Sequence, residues 1–176
     1  MIFTLAVSDP APECGQPLKA RLIYGDFNKD ISDVALTYHP KPGTILMCDF
    51  GQGFQSPEMV KKRPVIVVSP KRKRCSGLCT IVAISTVPPT PVEHWNYMLP
   101  GAWLPQTPYF QAKPSWVKGD MIYRVAFHRL EGIKIGKDKV TGRRLYFNQV
   151  LDDEQMKKVY SCVLHALNLG NLQNHL

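Results

Sequence analysis

The run PVIVVSP at residues 64–70 limits what this chain can fold into. Val65, Ile66, Val67 and Val68 are β-branched and contiguous, with no polar residue to mark an outward face. Such a run reads as a strand buried on both sides, which requires a sheet with covering layers above and below it. Pro64 and Pro70 bound it, and three cations, Lys61, Lys62 and Arg63, lead straight into it. The last cation is therefore rooted in backbone that a proline and a core hold still.

Other strand candidates surround this one. GTILMCDF (43–50), LCTIVAIST (78–86), HWNYMLP (94–100), WVKGDMIYRVAF (116–127) and RRLYFNQV (143–150) carry β-branched and aromatic residues between turn formers. Gly119 marks a bulge or a close backbone approach. GQGFQSPEMVKK (51–62) reads as a long, mobile connection, and 101–115, with Pro105, Pro108 and Pro114, as loop. The chain closes in an amphipathic helix. Asp152 serves as its N-cap, and Asp153 and Glu154 complement its positive end. Met156, Val159, Tyr160, Val163, Leu164 and Leu167 line its apolar face, and Gly170 is its stop. The expected class is mainly β (α+β), a strongly bent antiparallel sheet or small barrel with a C-terminal amphipathic helix. Residues 1–38 read as a poorly structured or accessory extension ahead of a domain at 39–176.

Charge narrows the partners. The chain has 22 Lys/Arg against 14 Asp/Glu, a net charge of +8. From Lys41 to Arg74 there are eight cations against two acids, Asp49 and Glu58. Such a surplus favours a polyanion, nucleic acid or an anionic membrane. KRKR at 71–74 is either a solvated hairpin tip or a set of phosphate contacts. No stretch reaches the roughly 18–20 apolar residues of a membrane span, and MIFTLAV at the start is short for a signal peptide. Five cysteines, without CxxC spacing, read as free thiols of a cytoplasmic protein. No Walker loop, GxGxxG, HExxH or paired-histidine pattern is present, so neither metal nor cofactor is expected. The five histidines are scattered and read as structural.

One order of features remains. A strand is followed by a Gly-containing loop with Glu58, then Arg63-Pro64 and the buried strand, then a strand ending Ser85-Thr86, and later Lys118-Gly119-Asp120. This order resembles the PemK/MazF family of toxin endoribonucleases over roughly residues 39–170. KPGTILMCDF is similar to the family's opening strand, with Thr44 where aspartate is usual. SPEMVKKRPVIVVSP is similar to its loop and Arg-Pro strand, and LDDEQMKKVYSCVLHAL to its terminal helix. The resemblance implies an SH3-like barrel and a homodimer. It also implies metal-independent cleavage of single-stranded RNA by 2′-OH attack, leaving a 2′,3′-cyclic phosphate and a 5′-OH, and a cognate antitoxin as partner.

That chemistry needs a base, an acid for the leaving oxygen, and cationic donors for charge building on phosphate. An arginine fork matches phosphate oxygens better than an ammonium does. The resemblance gives Arg63 this role and makes Ser85, or alternatively Thr86, a hydroxyl donor. Lys118 and Asp120 fall where family members carry an arginine and an aspartate as acid and base; lysine keeps the charge and loses the fork. Glu58 is an alternative base, or a salt-bridge partner of Lys62 or Arg63. The family's loop histidine falls on Pro57. Lys61, Lys62, Lys71, Arg72 and Arg74 are candidate RNA-backbone contacts, and Tyr109 and Phe110 candidate base-stacking rings. Two further readings stay open: a non-enzymatic toxin that binds DNA gyrase, and an RNA-binding module without catalysis.

Overall fold

A computed structural model of the chain describes residues 36, 38–51, 53–73, 77–111 and 113–176. Nearly all of the expected N-terminal extension, and Arg74 with it, lies outside these residues. Leu36 packs against the core.

Strands form where β-branched residues cluster. They are β1 (Ile45–Cys48), β2 (Arg63–Val67), β3 (Leu78–Ser85), β4 (Asn96–Leu99), β5 (Ser115–Ala126), β6 (Leu130–Glu131), β7 (Lys134–Lys137) and β8 (Arg144–Tyr146). Six of them make one antiparallel sheet in the order β4-β5-β3-β2-β1-β6, and β7 pairs with β8 in a separate hairpin. β4 and β6 are the two edges. The barrel is thus a bent sheet that stays open rather than a closed cylinder.

β2 is buried on both faces, with Val65, Ile66 and Val67 each 0% exposed. Burying such side chains stabilises by about 1.5–3 kcal/mol apiece, as an upper estimate. Alternation divides the core in two. Ile45, Ile66, Val82, Ile84 and Val117 face the terminal helix, α2 (Asp153–Ala166), and meet Met156 and Val159. Leu46, Val65, Val67, Ile81 and Val125 face the other way, beneath Phe50 and Leu130. A short helix, α1 (Pro108–Gln111), lies within the proline-rich 101–115 segment and contributes Phe110 to the helix-side core.

α2 begins as its sequence dictates. The Asp152 carboxylate accepts the Gln155 N–H at 2.8 Å, capping a donor that the helix leaves unpaired. Tyr160 reaches across to donate to the Val68 carbonyl at 3.0 Å. The helix rests on β5 at Gly119, where a Cβ would lie 2.6 Å from the Cys162 carbonyl group. The close approach read from Gly119 is therefore what the fold contains.

The helix stops differently from the sequence reading. Asn168, not Gly170, takes the left-handed conformation (φ 59), and the Leu169 N–H returns to the Leu164 carbonyl at 2.7 Å. Asparagine tolerates that region better than other side chains. Gly170 instead opens a 3-10 turn beside the His165 ring. Leu167 lies past the buried stripe and is 55% exposed.

Of the β7–β8 hairpin the sequence indicates only the second strand, within 143–150, and not β7 or the turn. Its turn is built by Asp138, whose carboxylate accepts the Val140 N–H (3.0 Å), the Thr141 N–H (2.6 Å) and the Thr141 hydroxyl (2.8 Å). These bonds hold the Asp138 carboxyl below its ordinary range. Among the described residues no helix is long and apolar enough to cross a membrane.

Candidate active site

Register assembles the site. Arg63 opens β2 opposite Cys48 of β1. On its other side β2 pairs with β3 through Val65 and Ala83; continuing that antiparallel register by two residues sets Arg63 beside Ser85. Lys118 of β5 lies opposite Ala83. Paired residues share a face, so Arg63, Ser85 and Lys118 occupy the face turned away from α2. Lateral neighbours in such a sheet lie about 5 Å apart and diagonal ones about 7–8 Å. Arg63 is partly buried and makes no ion pair or side-chain hydrogen bond among the described residues.

Ser85 is half-satisfied. Its Oγ accepts the Val87 N–H at 3.1 Å, which leaves the hydroxyl proton to donate elsewhere. Thr86 follows in the bend beyond the strand.

Two carboxylates approach the same face by different routes. In β5 the pairing jumps from Val82–Ile122 to Ala83–Lys118, so residues 119–121 bulge out and Asp120 stands exposed. Glu58 comes from the 51–62 loop, where its Oε2 accepts the Gln55 N–H at 3.0 Å. Both act on Tyr123. Burial above all lifts the Tyr123 phenol above its ordinary value, the Met59 N–H donating to it works against this, and the Glu58 and Asp120 carboxylates push it further up.

Two side chains of the described loop residues reach the core. Phe54 packs edge-on to Phe50 at 5.3 Å and to Tyr123 at 5.7 Å, and Met59 packs on the same core cluster.

Arg129 belongs to this region and was not singled out from sequence. Its Nη1 donates to the Asp49 carbonyl at 3.2 Å, and the guanidinium sits 5.3 Å from the centre of the Phe54 ring. No motif marks it; a 3-10 turn (Phe127–Arg129) between β5 and β6 delivers it.

The three described cysteines, Cys48, Cys79 and Cys162, are buried. Burial pushes the Cys48 thiol up to about 12, against the opposing pull of Arg129, and likewise lifts Cys79 and Cys162 to about 11 each. All three are free thiols. Among the described residues no three His, Cys, Asp or Glu side chains converge on a metal-sized site.

The remaining candidates are dispersed. Lys62 pairs with Glu131 and so is engaged away from Glu58. Lys61 is exposed. Lys71 and Arg72 lie exposed in the β2–β3 connection, at the opposite end of that hairpin from Arg63 and Ser85. Four residues of strand alone separate the two ends by about 13 Å. Tyr109 is 49% exposed, but Phe110 is 4% exposed and packed in the core. A buried ring cannot take a base on its face, so only Tyr109 of that pair stays available, and it sits on the helix side of the sheet.

Comparison with known proteins identifies the family. A family model described as PemK-like, MazF-like toxin of type II toxin-antitoxin system matches residues 41–167. An uncharacterized protein of Haemophilus influenzae is 28% identical over 145 residues, covering 77% of this chain and 94% of its own. YifN of Escherichia coli K12, also uncharacterized, is 25% identical over 158 residues, covering 80% of this chain and all of its own. Among solved structures, a mycobacterial endoribonuclease in complex with its cognate antitoxin aligns with a TM-score of 0.48 at 20% identity, covering 74% of this chain and 97% of that one.

Proposed function

Because the chain belongs to the PemK-like, MazF-like toxin family of type II toxin-antitoxin systems, we propose that it is a toxin acting as an endoribonuclease on single-stranded RNA. The observation that carries this reading is the Arg63 guanidinium, fixed at the start of a fully buried strand, unpaired among the described residues and on one face with Ser85 and Lys118.

In this reading a scissile phosphate settles over Arg63. A ribose 2′-oxygen attacks the adjacent phosphorus as its proton passes to a carboxylate, Glu58 or Asp120. The P–O5′ bond breaks, and the leaving oxygen takes a proton from Lys118. The products are a 2′,3′-cyclic phosphate and a 5′-OH, and no water is consumed. Arg63 and the Ser85 hydroxyl hold the charge that grows on the non-bridging oxygens, and because their roots are fixed they need not reorganise as it grows. An antitoxin, neutralising the toxin by covering this cationic face, and a homodimeric assembly complete the proposal.

The test is digestion of single-stranded RNA by the purified chain in EDTA, with the cut ends sequenced. Cyclic-phosphate ends are expected, and Arg63→Ala is expected to lower the rate by about 10²–10³ with the fold retained. Intact RNA together with blocked DNA supercoiling would move the protein to the gyrase-binding class. RNA retained but uncut would make it a binding module.

A further inference from the structure

A second site lies on the opposite side of the sheet from Arg63. A cavity of about 400 Å³ opens between α1 and the β7–β8 hairpin, lined by Met47, Tyr109, Glu131, Lys134, Arg144 and Tyr146 among others. Its size is that of a small-ligand pocket. Met47 shares a face with Ile45 and Ile66, which places the cavity on the α2 side.

Three features give it a chemistry. Tyr109 and Tyr146 enter from different elements and remain 49% and 42% exposed. Tyr146 is seated on backbone: a Cβ at Gly132 would lie 2.9 Å from its Cδ1, so the ring rests where only glycine leaves room. The hairpin, finally, is cationic. Residues 134–146 hold five Lys/Arg and one acid, Asp138, whose carboxylate is engaged in its own turn. Glu131 in the lining is paired with Lys62, which offsets its charge.

We infer that this cavity is a nucleotide-binding subsite for single-stranded RNA, taking a base among Tyr109, Tyr146 and Met47 with its phosphates against Lys134 and the basic hairpin. Exposed rings beside cations suit a strand whose every base has a stackable face. An apolar peptide would not need the charge. Lys61, Lys62 and Arg63 run without interruption along the end of β2, and alternation sends Lys62 toward the cavity side and Arg63 toward the other. A strand crossing that edge would meet Lys61 and Arg63, Lys62 between them being already paired with Glu131. The inference deepens the nuclease reading and rests on it for the identity of the strand.

The test uses the full chain and a fluorescent 2′-O-methyl oligoribonucleotide, which lacks the attacking hydroxyl and stays intact. Binding is read by anisotropy for Tyr109→Ala, Tyr146→Ala, Gly132→Ala and, as a control at the exposed hairpin tip, Val140→Ala. Each tyrosine variant is expected to raise Kd about tenfold. Gly132→Ala should raise it severalfold by displacing Tyr146, and Val140→Ala should leave it unchanged. Folded tyrosine variants that bind within twofold of the parent overturn the inference. So does protection of Tyr146 from nitration by an acidic peptide but not by the oligonucleotide. The two readings fail differently. If the protein is not a nuclease, unmodified RNA stays whole while the anisotropy differences persist. If this subsite is wrong, RNA is cut and the differences vanish.

Discussion

Gly119→Ala tests the joint on which the site is mounted. The added methyl would meet the Cys162 carbonyl carbon and oxygen at 2.6 Å and its Cβ at 2.8 Å. Two of these atoms are helix backbone and have no rotamer by which to escape. Ordinary contact begins at 3.4 Å, so α2 must retreat from β5 by about 0.8 Å. Overpacking of this kind costs about 1–3 kcal/mol. Alanine also restricts the unfolded chain, which returns about 0.4–1 kcal/mol. The first effect wins, and for a chain of this length each kcal/mol lowers Tm by about 2–4 °C. Thermal and urea unfolding measure it, with Gly101→Ala as the reference, since nothing lies within 4 Å of a Cβ there. That reference should be neutral or slightly stabilising. RNA cleavage, assayed well below Tm, should fall as well, because Lys118 and Asp120 flank the displaced residue. If Gly119→Ala unfolds at the parental temperature, α2 does not lie on β5 as described, and the reasoning about both faces fails with it.

Asp152→Ala removes the α2 cap and should destabilise by about 1 kcal/mol in urea unfolding, with Asp152→Asn close to the parent. Ser85→Ala should slow RNA cleavage more than Thr86→Ala does, since Ser85 ends β3 on the face of Arg63 whereas Thr86 lies in the bend beyond it; equal losses would count against Ser85 as the hydroxyl donor. The buried thiols predict a fall in stability above about pH 9. Below that value both states are protonated; from 9.0 toward about 11–12 the unfolded thiols ionise first. Each then removes up to about 1.4 kcal/mol per pH unit, and Cys48→Ala should flatten the urea-stability profile between pH 8 and 11. RNA affinity should weaken steeply with salt as phosphate contacts release counterions, and a flat dependence would count against cationic binding on either face.

Much of the fold was legible because its causes are local. The β-branched run in β2, the Asp152 cap and the Gly119 approach each follow from a few neighbouring residues. What escaped depends on partners distant in sequence. Arg63 and Ser85 fall on one face through the register of β2 with β3, which no single segment contains. Arg129 reaches Asp49 and Phe54 through a turn that follows β5. Tyr109 and Phe110 are consecutive aromatic residues of similar size, and only the packing of α1 sends one into the core and leaves the other half exposed.

The basic run at 61–63 shows why counting charges was too coarse. Three adjacent cations look equivalent in sequence, yet the two-residue period of a strand sends neighbours to opposite faces. Lys62 turns toward β6 and finds Glu131. Arg63 turns the other way and finds, among the described residues, no carboxylate. A cation without an internal counter-ion keeps its field for an external anion, and one that is half-buried and rooted in the core keeps its position as well. Reversing the order of the two would pair the fork with Glu131 and leave an ammonium on the Ser85 face, with equal net charge and, in the proposed mechanism, the wrong donor for the phosphate. The site is therefore specified by parity along one strand as much as by residue type.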